Sequence, residues 1–369
     1  MNKSKSKNIL VISLQGIGDL LLTTPLLSAL KRGISPVRIS VLTFNGNKDI
    51  LAGNPDVDEI VAFNPKESNN LWTIVRLLWY LRSRRYDISI CAYPSGLRSA
   101  LIAYACGVKE RLGQGLSIFK NYKWLFTKQT EVKEVKHAVL MNMDFLRLLG
   151  IKTSGQNNTP VLSVSEEEKE RASNFLRSEG VKSGDLLVAI HVGGGKFTAE
   201  YRNWPIERFS KTADTLIEIL GAKVILIGGA DDRTAVDKAV AGIRNKPVIS
   251  AGKLSLKETA ALIKQTRLLI CNNSGPMHMA AALGIPTVSI FGSADPRIHR
   301  PWGDGHIVLQ KELDCSPCYY PFFRDTLEET RLRNRWFGKK FECITGDYRC
   351  LSSITVEDVV GSAKKILER

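Results

Sequence analysis

Short apolar runs alternate with longer amphipathic segments along most of the chain. Runs such as Asn8–Leu14 and Val37–Thr43 are typical of buried strands, whereas Asp19–Lys31 and Leu71–Arg84 repeat their apolar residues at helical spacing. Pro25 interrupts the first of these helical segments and is expected to perturb it locally. Strands that alternate with helices predict a mostly parallel sheet with helices on both faces, and therefore an α/β fold.

The alternation pauses at a polar stretch, Thr153–Thr159, and resumes after a charged helix predicted over Ser165–Glu179. Beyond it, continuous apolar runs such as Leu186–Val192 and Leu268–Cys271 are typical of strands covered on both faces. We therefore predict two doubly wound domains that meet between about residues 153 and 183. Such domains bind ligands outside the carboxyl ends of their strands, and two in tandem predict a central cleft.

The length of 369 residues fits two domains, and the 44% hydrophobic and 24% charged content is that of a globular protein. The chain contains no run near the roughly 20 apolar residues that span a bilayer. The basic start, Met1–Lys7, leads into a short apolar run and a Gly-rich turn, without a signal-peptide cleavage site. We therefore expect a cytoplasmic protein.

The net charge of +15 favours an anionic partner, although solubility alone is the alternative. Basic and aromatic residues are interleaved in two clusters, within 72–86 and 322–340. This composition suits an anionic membrane surface or single-stranded nucleic acid. Since no nucleic-acid motif accompanies the clusters, we predict peripheral membrane contact or a phosphorylated lipid, and no nucleic acid. A peripheral position on the inner face of the cytoplasmic membrane would follow.

A glycine-containing turn joins the first strand to the first helix. Gly16 and Gly18 would let the backbone turn tightly and approach a ligand. The third glycine of a dinucleotide-binding loop is replaced by Leu21, so an NAD site is not expected. Asp19 could simply cap the helix, or it could act as a general base that accepts a proton from an attacking sugar hydroxyl.

Three loops of the second domain are candidate ligand contacts. Gly193–Lys196 contains three glycines and could form a backbone nest for an anion, or a flexible loop. Arg202 precedes Trp204-Pro205 and could pair with a diphosphate, or lie on the surface. Asp231 or Asp232 could cap a helix or bind a ribose.

The strongest candidate is Asn273–Pro276, between a predicted strand and an Ala-rich helix. Asn273 and Ser274 are capping residues, Gly275 permits close approach, and Pro276 suits the first helical turn. The amide groups and dipole of a helix N-terminus form an anion site. His278, in the first turn, could donate to a phosphate. A purely structural strand-turn-helix is the alternative.

With these motifs the sequence resembles the heptosyltransferases of glycosyltransferase family 9. The resemblance covers nearly the whole chain, and the separation of its motifs is specific. The matching segments are Ile9–Pro25, Arg202–Pro205, Asn273–Ala281, Pro286–Val288 and Phe291–Pro296.

The resemblance implies a GT-B fold with two Rossmann-like domains. Residues 1–165 would bind the acceptor and 166–350 the nucleotide sugar, and 351–369 would form a helix packing back toward the first domain. It implies inverting, metal-independent transfer of a sugar, often heptose from ADP-heptose, to a phosphorylated glycolipid of the lipopolysaccharide core, without a cofactor.

Individual residues take their expected roles from the same resemblance. Asp19 matches the catalytic base, and Gly16 and Gly18 lie on the acceptor side. The donor contacts are assigned to Gly193, Gly194, Lys196, Arg202, Asp231, Asn273, Ser274, Gly275 and His278.

One departure concerns the donor site. The family has Asp-Thr where this chain has Asn273-Ser274, so a hydrogen-bonding oxygen is kept but a charge is lost. The identity of the donor sugar is therefore left open. A nucleotide-sugar epimerase and a catalytically silent glycolipid-binding relative are the alternative functions.

Four of the seven cysteines, Cys315, Cys318, Cys343 and Cys350, lie together near the C-terminal end. Their number fits a structural zinc site, although the Cys-x₆-Cys spacing of the second pair is loose. In a cytosolic protein a metal is favoured over disulfides. We hypothesise that zinc holds this loop, with unpaired thiols as the alternative.

Overall fold

A computed structural model describes residues 6–64, 70–115, 117–153, 155–193, 203–318, 343 and 345–368. The chain divides into two compact units, with the boundary between Ser163 and Val164. Each unit contains its own parallel sheet.

The first unit is built on a sheet whose strands all run parallel, in the order β3-β2-β1-β4-β5-β6. Residues 9–12 of the central strand are fully buried, as expected for a strand covered on both faces. The strands are β1 (Lys7–Ser13), β2 (Val37–Phe44), β3 (Glu59–Phe63), β4 (Ile88–Cys91), β5 (Glu110–Gln114) and β6 (Lys128–Thr130).

Helices connect these strands. They are α1 (Ile17–Leu21), α2 (Thr24–Gly33), α3 (Leu71–Ser83), α4 (Leu97–Ala105), α5 (Ala138–Met143) and α6 (Phe145–Leu148), with 3₁₀ segments at Asn45–Leu51 and Ser117–Leu125. The prediction of one helix over Asp19–Lys31 was wrong, because the helix ends after α1 and Pro25 starts a new one in the first turn of α2.

The second unit repeats this architecture with a parallel sheet in the order β12-β11-β10-β7-β8-β9. Its strands are β7 (Leu187–His191), β8 (Lys223–Ile227), β9 (Val248–Ile249), β10 (Leu268–Asn272), β11 (Thr287–Ile290) and β12 (Ile307–Leu309). The helices are α7 (Glu166–Ser178), α8 (Ile206–Leu220), α9 (Arg233–Ala241), α10 (Leu256–Ile263), α11 (Gly275–Ala282), α12 (Pro296–His299), α13 (Arg349–Ser352) and α14 (Val356–Leu367), with a 3₁₀ segment at Ala230–Asp232.

Numbered within its own unit, each sheet has the strand order 3-2-1-4-5-6 of a doubly wound fold. The predicted α/β class with two doubly wound domains is therefore confirmed. The strand order reverses between β1 and β4 in the first sheet and between β7 and β10 in the second. Ligands of such folds bind outside the carboxyl ends of the strands at this switch point.

The C-terminal helix α14 lies in the second unit, where it packs against α8 and the β10–β12 side of the sheet. Val359, Ala363 and Ile366 join the hydrophobic core of that unit. The expectation that this helix packs toward the first domain concerns the arrangement of the two units and stays a prediction. Among the described helices, none is both long and apolar enough to cross a membrane.

Candidate functional site

In the first unit, the turn after β1 places Asp19 in the first turn of α1. Gly16 is the N-cap residue with extended dihedral angles (φ −70°, ψ 171°), and Asp19 is the third helical residue. The alternative that Asp19 is itself the N-cap was therefore wrong. Its side chain is partly buried at the carboxyl end of β1, where the strand order reverses.

A buried amide fixes this corner of the first unit. Asn142 Oδ1 accepts a hydrogen bond from the Tyr93 N–H at 2.7 Å, and its Nδ2 donates to the Leu22 carbonyl at 3.2 Å. Asn142 thereby ties the end of α1 to the segment that follows β4, across the switch point. On the other side, Asn47 Nδ2 donates to the Gln15 carbonyl at 2.6 Å. The backbone around Asp19 is therefore held from two directions.

In the second unit, α11 begins directly after the central strand β10. Ser274 is its N-cap residue, but the Ser274 side chain makes no capping hydrogen bond. Pro276 lies in the first turn and His278 is buried there. Pro276 has no N–H and the Met277 N–H donates to the Ser274 carbonyl at 3.2 Å, so among the first three helical residues it is the Gly275 amide that can bind an anion.

Asn272, the last residue of β10, anchors the neighbouring loop. Its Oδ1 accepts from the Trp204 N–H at 2.9 Å, and its Nδ2 lies 3.4 Å from the Gly193 carbonyl. Trp204 is fully buried; its Nε1 donates to the Ile354 carbonyl at 2.9 Å. The Trp of the predicted Arg-Asn-Trp-Pro element is thus a structural anchor that holds Asn203 beside β10.

His191, to which the sequence analysis gave no site role, lies between Ser274 and Asp232. His191, the last residue of β7, lies with Nδ1 3.1 Å from Ser274 Oγ and Nε2 3.4 Å from Asp232 Oδ2. Burial raises the Asp232 pKa, but the hydrogen bond and charge of His191, with a bond from the Gly229 N–H, lower it overall below its ordinary value. Position along the chain could have indicated this contact. His191 ends β7 and Asp232 follows β8, and the carboxyl ends of neighbouring parallel strands lie at the same edge of a sheet.

The predicted donor contacts fall into three groups. The start of α11 contains Asn273, Ser274, Gly275 and His278. Gly193 lies close to this group, because its carbonyl accepts a hydrogen bond from Asn272 and its Cα lies against Asp232. Asp231 is exposed, and it is its neighbour Asp232 that contacts His191. Gly194, Lys196 and Arg202 lie outside the described residues, so their roles stay predictions.

Only some side chains of the first basic and aromatic cluster, within 72–86, are exposed. Tyr86 is buried, and this burial raises its pKa to about 12. Arg84 pairs with Glu59. Trp72 and Trp79, by contrast, are 80% and 72% exposed on α3. The second cluster, within 322–340, lies outside the described residues.

The four C-terminal cysteines are free thiols. Burial, and then the charges of Cys350, Cys343 and Cys315, raise the pKa of Cys318 to about 12, so the four groups influence one another. Across the described part of the chain, no three His, Cys, Asp or Glu side chains are arranged to hold a metal ion. Structural zinc stays a prediction, which metal analysis of protein purified without chelator would decide.

A model of glycosyltransferase family 9 (heptosyltransferase) matches residues 74–321, more than half of the chain. The chain belongs to glycosyltransferase family 9. Its predicted family and its predicted activity as a glycosyltransferase are thereby confirmed.

Individual relatives agree over almost the full length. Lipopolysaccharide heptosyltransferase 3 of Escherichia coli K12 is 28% identical over 358 residues, which cover 95% of each chain. The structure of a family 9 glycosyl transferase from Veillonella parvula superimposes with a TM-score of 0.81 at 25% identity, covering 98% of both chains. That of the E. coli ADP-heptose lps heptosyltransferase II gives 0.73 at 22% identity over 98% of both chains.

Proposed function

We propose that this glycosyltransferase moves a heptose from ADP-heptose to a phosphorylated glycolipid acceptor of the lipopolysaccharide core. The observation that carries the proposal is the position of the N-terminus of α11 at the switch point of the second sheet. Relatives named as lipopolysaccharide heptosyltransferases, one of them for ADP-heptose, support this choice of donor and acceptor.

The second unit binds the donor in this proposal. The diphosphate lies at the N-terminus of α11, where the backbone amides of Ser274 and Gly275 and the side chain of His278 stabilise its charge. Charge that develops on the leaving nucleotide in the transition state is held by the same groups, so transfer needs no metal ion. Asn273 in place of an aspartate leaves the sugar contact uncharged.

The first unit supplies the base. Asp19 accepts the proton of the acceptor hydroxyl, which attacks the anomeric carbon from the face opposite the diphosphate. The reaction passes through an oxocarbenium-like transition state and inverts the configuration. The bond from the sugar to the diphosphate breaks, and ADP leaves with the electron pair.

The experiment is Asp19→Asn, which keeps the shape of the side chain and removes the base. We expect turnover to fall by about 10²–10⁴-fold, the usual contribution of general base catalysis, with ADP affinity unchanged within about twofold. Asp49→Asn is the matched control, since Asp49 is an exposed carboxylate of the same unit. Turnover of the Asp19 variant near the wild-type rate would exclude Asp19 as the base.

We also propose that the first unit contacts an anionic membrane, where such an acceptor resides. Trp72 and Trp79 lie two helical turns apart on α3, and exposed Arg76 lies between them. The helix Leu71–Ser83 contains no Asp or Glu. A helix face with exposed tryptophans, arginines and no acidic residue suits the interface of a bilayer with anionic lipids.

A second exposed group extends this surface. Tyr104 of α4 and Trp124 are exposed and pack edge to face, with ring centroids 5.1 Å apart. Arg82 of α3 lies against Gly107, just beyond the end of α4. A Cβ placed on Gly107 would be 3.6 Å from Arg82 Cζ. Right-handed crossovers that step in the same direction place α3 and α4 on the same face of the sheet. Both aromatic groups therefore support one membrane-facing side.

A further inference from the structure

The two helices that follow the central strands of the first sheet lie on opposite faces of that sheet. The crossover from β1 to β2 steps in one direction, and the crossover from β4 to β5 steps in the other. Because such crossovers are right-handed, α1 and α4 lie on opposite faces, and a crevice separates their starting points. Asp19, in the first turn of α1, lies on one side of this crevice, and the start of α4 lies on the other.

Hydrogen bonds connect the segment that leads into α4 with the segment around α1. The Ala92 N–H donates to the Ile12 carbonyl at 3.0 Å, which continues the pairing of β4 with β1. One residue further, Asn142 accepts from the Tyr93 N–H and donates to the Leu22 carbonyl at the end of α1. A ligand group bound at the start of α4 therefore lies at the same edge of the sheet as the proposed catalytic base.

The first turn of α4 contains backbone amides without acceptors. Gly96 is the N-cap residue, with extended dihedral angles (φ −116°, ψ 171°), and it has no side chain that could cap the helix. The Ser99 N–H donates to the Gly96 carbonyl at 3.0 Å, but the N–H groups of Leu97 and Arg98 donate to no atom of the described residues. A Cβ placed on Gly96 would meet no atom within 4 Å, so the space beside the N-cap is open. An anion can therefore approach this helix N-terminus.

Two side chains at the same N-terminus add donors that an anion could use. Ser95, directly before the N-cap, is 1% exposed, and its Oγ has no hydrogen-bond partner in the part of the chain that the structure describes. A buried hydroxyl without a partner is destabilising until a ligand or a water bonds to it. Arg98, the second residue of α4, is exposed, and within the described ranges it pairs with no carboxylate. Free amides, a hydroxyl and a guanidinium are the groups from which a phosphate accepts hydrogen bonds.

We propose that the start of α4 binds a phosphate group of the acceptor. The phosphate accepts hydrogen bonds from the Leu97 and Arg98 amides, the Ser95 hydroxyl and the Arg98 guanidinium. Bound there, it holds the acceptor at the crevice beside Asp19 and makes the enzyme select phosphorylated acceptors over unphosphorylated ones. The inference rests on the proposed function, because it places a phosphorylated acceptor on the first unit.

The test uses the full-length enzyme and one probe in two forms, the deacylated core oligosaccharide of lipopolysaccharide with its phosphates or after phosphatase treatment. Isothermal titration measures the affinity for each form, and turnover with ADP-heptose measures each KM. Wild type should bind the phosphorylated form about tenfold more tightly, as the loss of charge-assisted hydrogen bonds implies. Arg98→Gln should lose most of this preference, with the donor KM unchanged.

Two further variants sharpen the test. Ser95→Ala should weaken binding of the phosphorylated form about threefold, while its unfolding temperature stays equal or rises, because a buried hydroxyl without a partner is removed. A lower unfolding temperature would show that Ser95 has a structural role instead. Arg147→Gln is the matched control: Arg147 is a 71% exposed arginine of the same unit, on α6, and its variant should bind both forms like wild type.

The outcomes separate this site from the proposed function. If wild type binds both forms equally, or if Arg98→Gln keeps the full preference for phosphate, the phosphate site is overturned even when heptose is transferred. A raised donor KM in Arg98→Gln also overturns it, since the donor would then be the ligand of Arg98. A preference that Arg98→Gln loses, in an enzyme that transfers no heptose, supports the phosphate site and contradicts the proposed function. If neither form binds to wild type, both proposals are wrong.

Discussion

The position of the Asp232 side chain depends on neighbouring residues that have no side chain. Its carboxylate occupies the space beside Gly193 and Gly228, and the chain around it could not accept a Cβ at Gly193 without overlap. A sequence reader assigns such a glycine to loop flexibility or to anion binding. In the structure it lies against the residue that orients His191.

At this scale we predict that Gly193→Ala destabilises the enzyme by about 1–3 kcal/mol, the usual cost of inserting a methyl group into filled space. The change should appear as a lower urea midpoint for unfolding. Gly361→Ala is the control: Gly361 lies within α14 with nothing within 4 Å of a new Cβ. It should leave the protein equally stable or stabilise it by up to about 1 kcal/mol. Equal midpoints for Gly193→Ala and wild type would contradict the close fit.

Among the elements, α14 shows a helix whose start is encoded locally and whose position is not. Thr355 and Asp358 form a capping box, in which the Thr355 hydroxyl accepts from the Asp358 N–H at 3.1 Å and Asp358 accepts from the Thr355 N–H at 3.0 Å. Asp358 also pairs with Lys311 at 2.9 Å. The box fixes the start of the helix at Val356.

We predict that Thr355→Ala lowers the free energy of unfolding by about 1 kcal/mol, because an N-terminal amide of α14 loses its acceptor. Thermal unfolding followed by circular dichroism measures the change. Thr215→Ala is the matched control, since the Thr215 hydroxyl only donates back to the Lys211 carbonyl within α8. An equal loss in both variants would mean that the cap contributes nothing of its own.

The same box has a pH signature. The Thr355 backbone bond, followed by Lys311, lowers the Asp358 pKa below its ordinary value. A lowered folded-state pKa stabilises the protein above the unfolded-state pKa of about 3.9, and this stabilisation is lost as the pH falls through the folded-state value. The advantage of wild type over Asp358→Asn should therefore be present at pH 7 and shrink in acid. An advantage that is constant with pH would refute the charge contribution.

At the scale of the whole molecule, the exposed large apolar side chains are unevenly distributed. Within the described residues, Ile219 is in the second unit, and the others, including Trp72, Trp79 and Trp124, are in the first. A net charge of +15 accompanies this asymmetry. Exposed apolar patches on soluble domains mark interaction sites, and basic surroundings favour an anionic one.

We predict that replacing both Trp72 and Trp79 by Ser weakens binding to phosphatidylglycerol-containing vesicles by at least about tenfold, because two interfacial aromatic anchors are lost. Vesicle co-sedimentation measures this. Wild-type binding should also fall with added salt. Ile219→Ser, in the second unit, should bind vesicles normally, and ADP affinity should be unchanged in both variants. Full vesicle binding by the double variant would exclude α3 as the membrane contact.

The alternation of apolar and amphipathic segments was sufficient to predict the fold class, because buried parallel strands and their crossover helices have different periods. It identified β1, β7, β10 and the helix α7 closely. The pattern did not predict β5, β6 and β12, because the segments that form them are short or polar. These segments become strands by pairing with a neighbouring strand toward the outer side of each sheet. Such edges depend on tertiary neighbours rather than on local pattern.

By itself, the sequence determined the two doubly wound units, the family and the location of the candidate site at Asp19 and the start of α11, since these follow from local periodicity and from contiguous motifs. Only the tertiary structure decided that His191, Asp232 and Ser274 meet. They are separated by about 40 residues along the chain in each step, and only the parallel pairing of β8, β7 and β10 brings their carboxyl ends to one edge. Contact among residues so far apart depends on strand order, which no local pattern encodes.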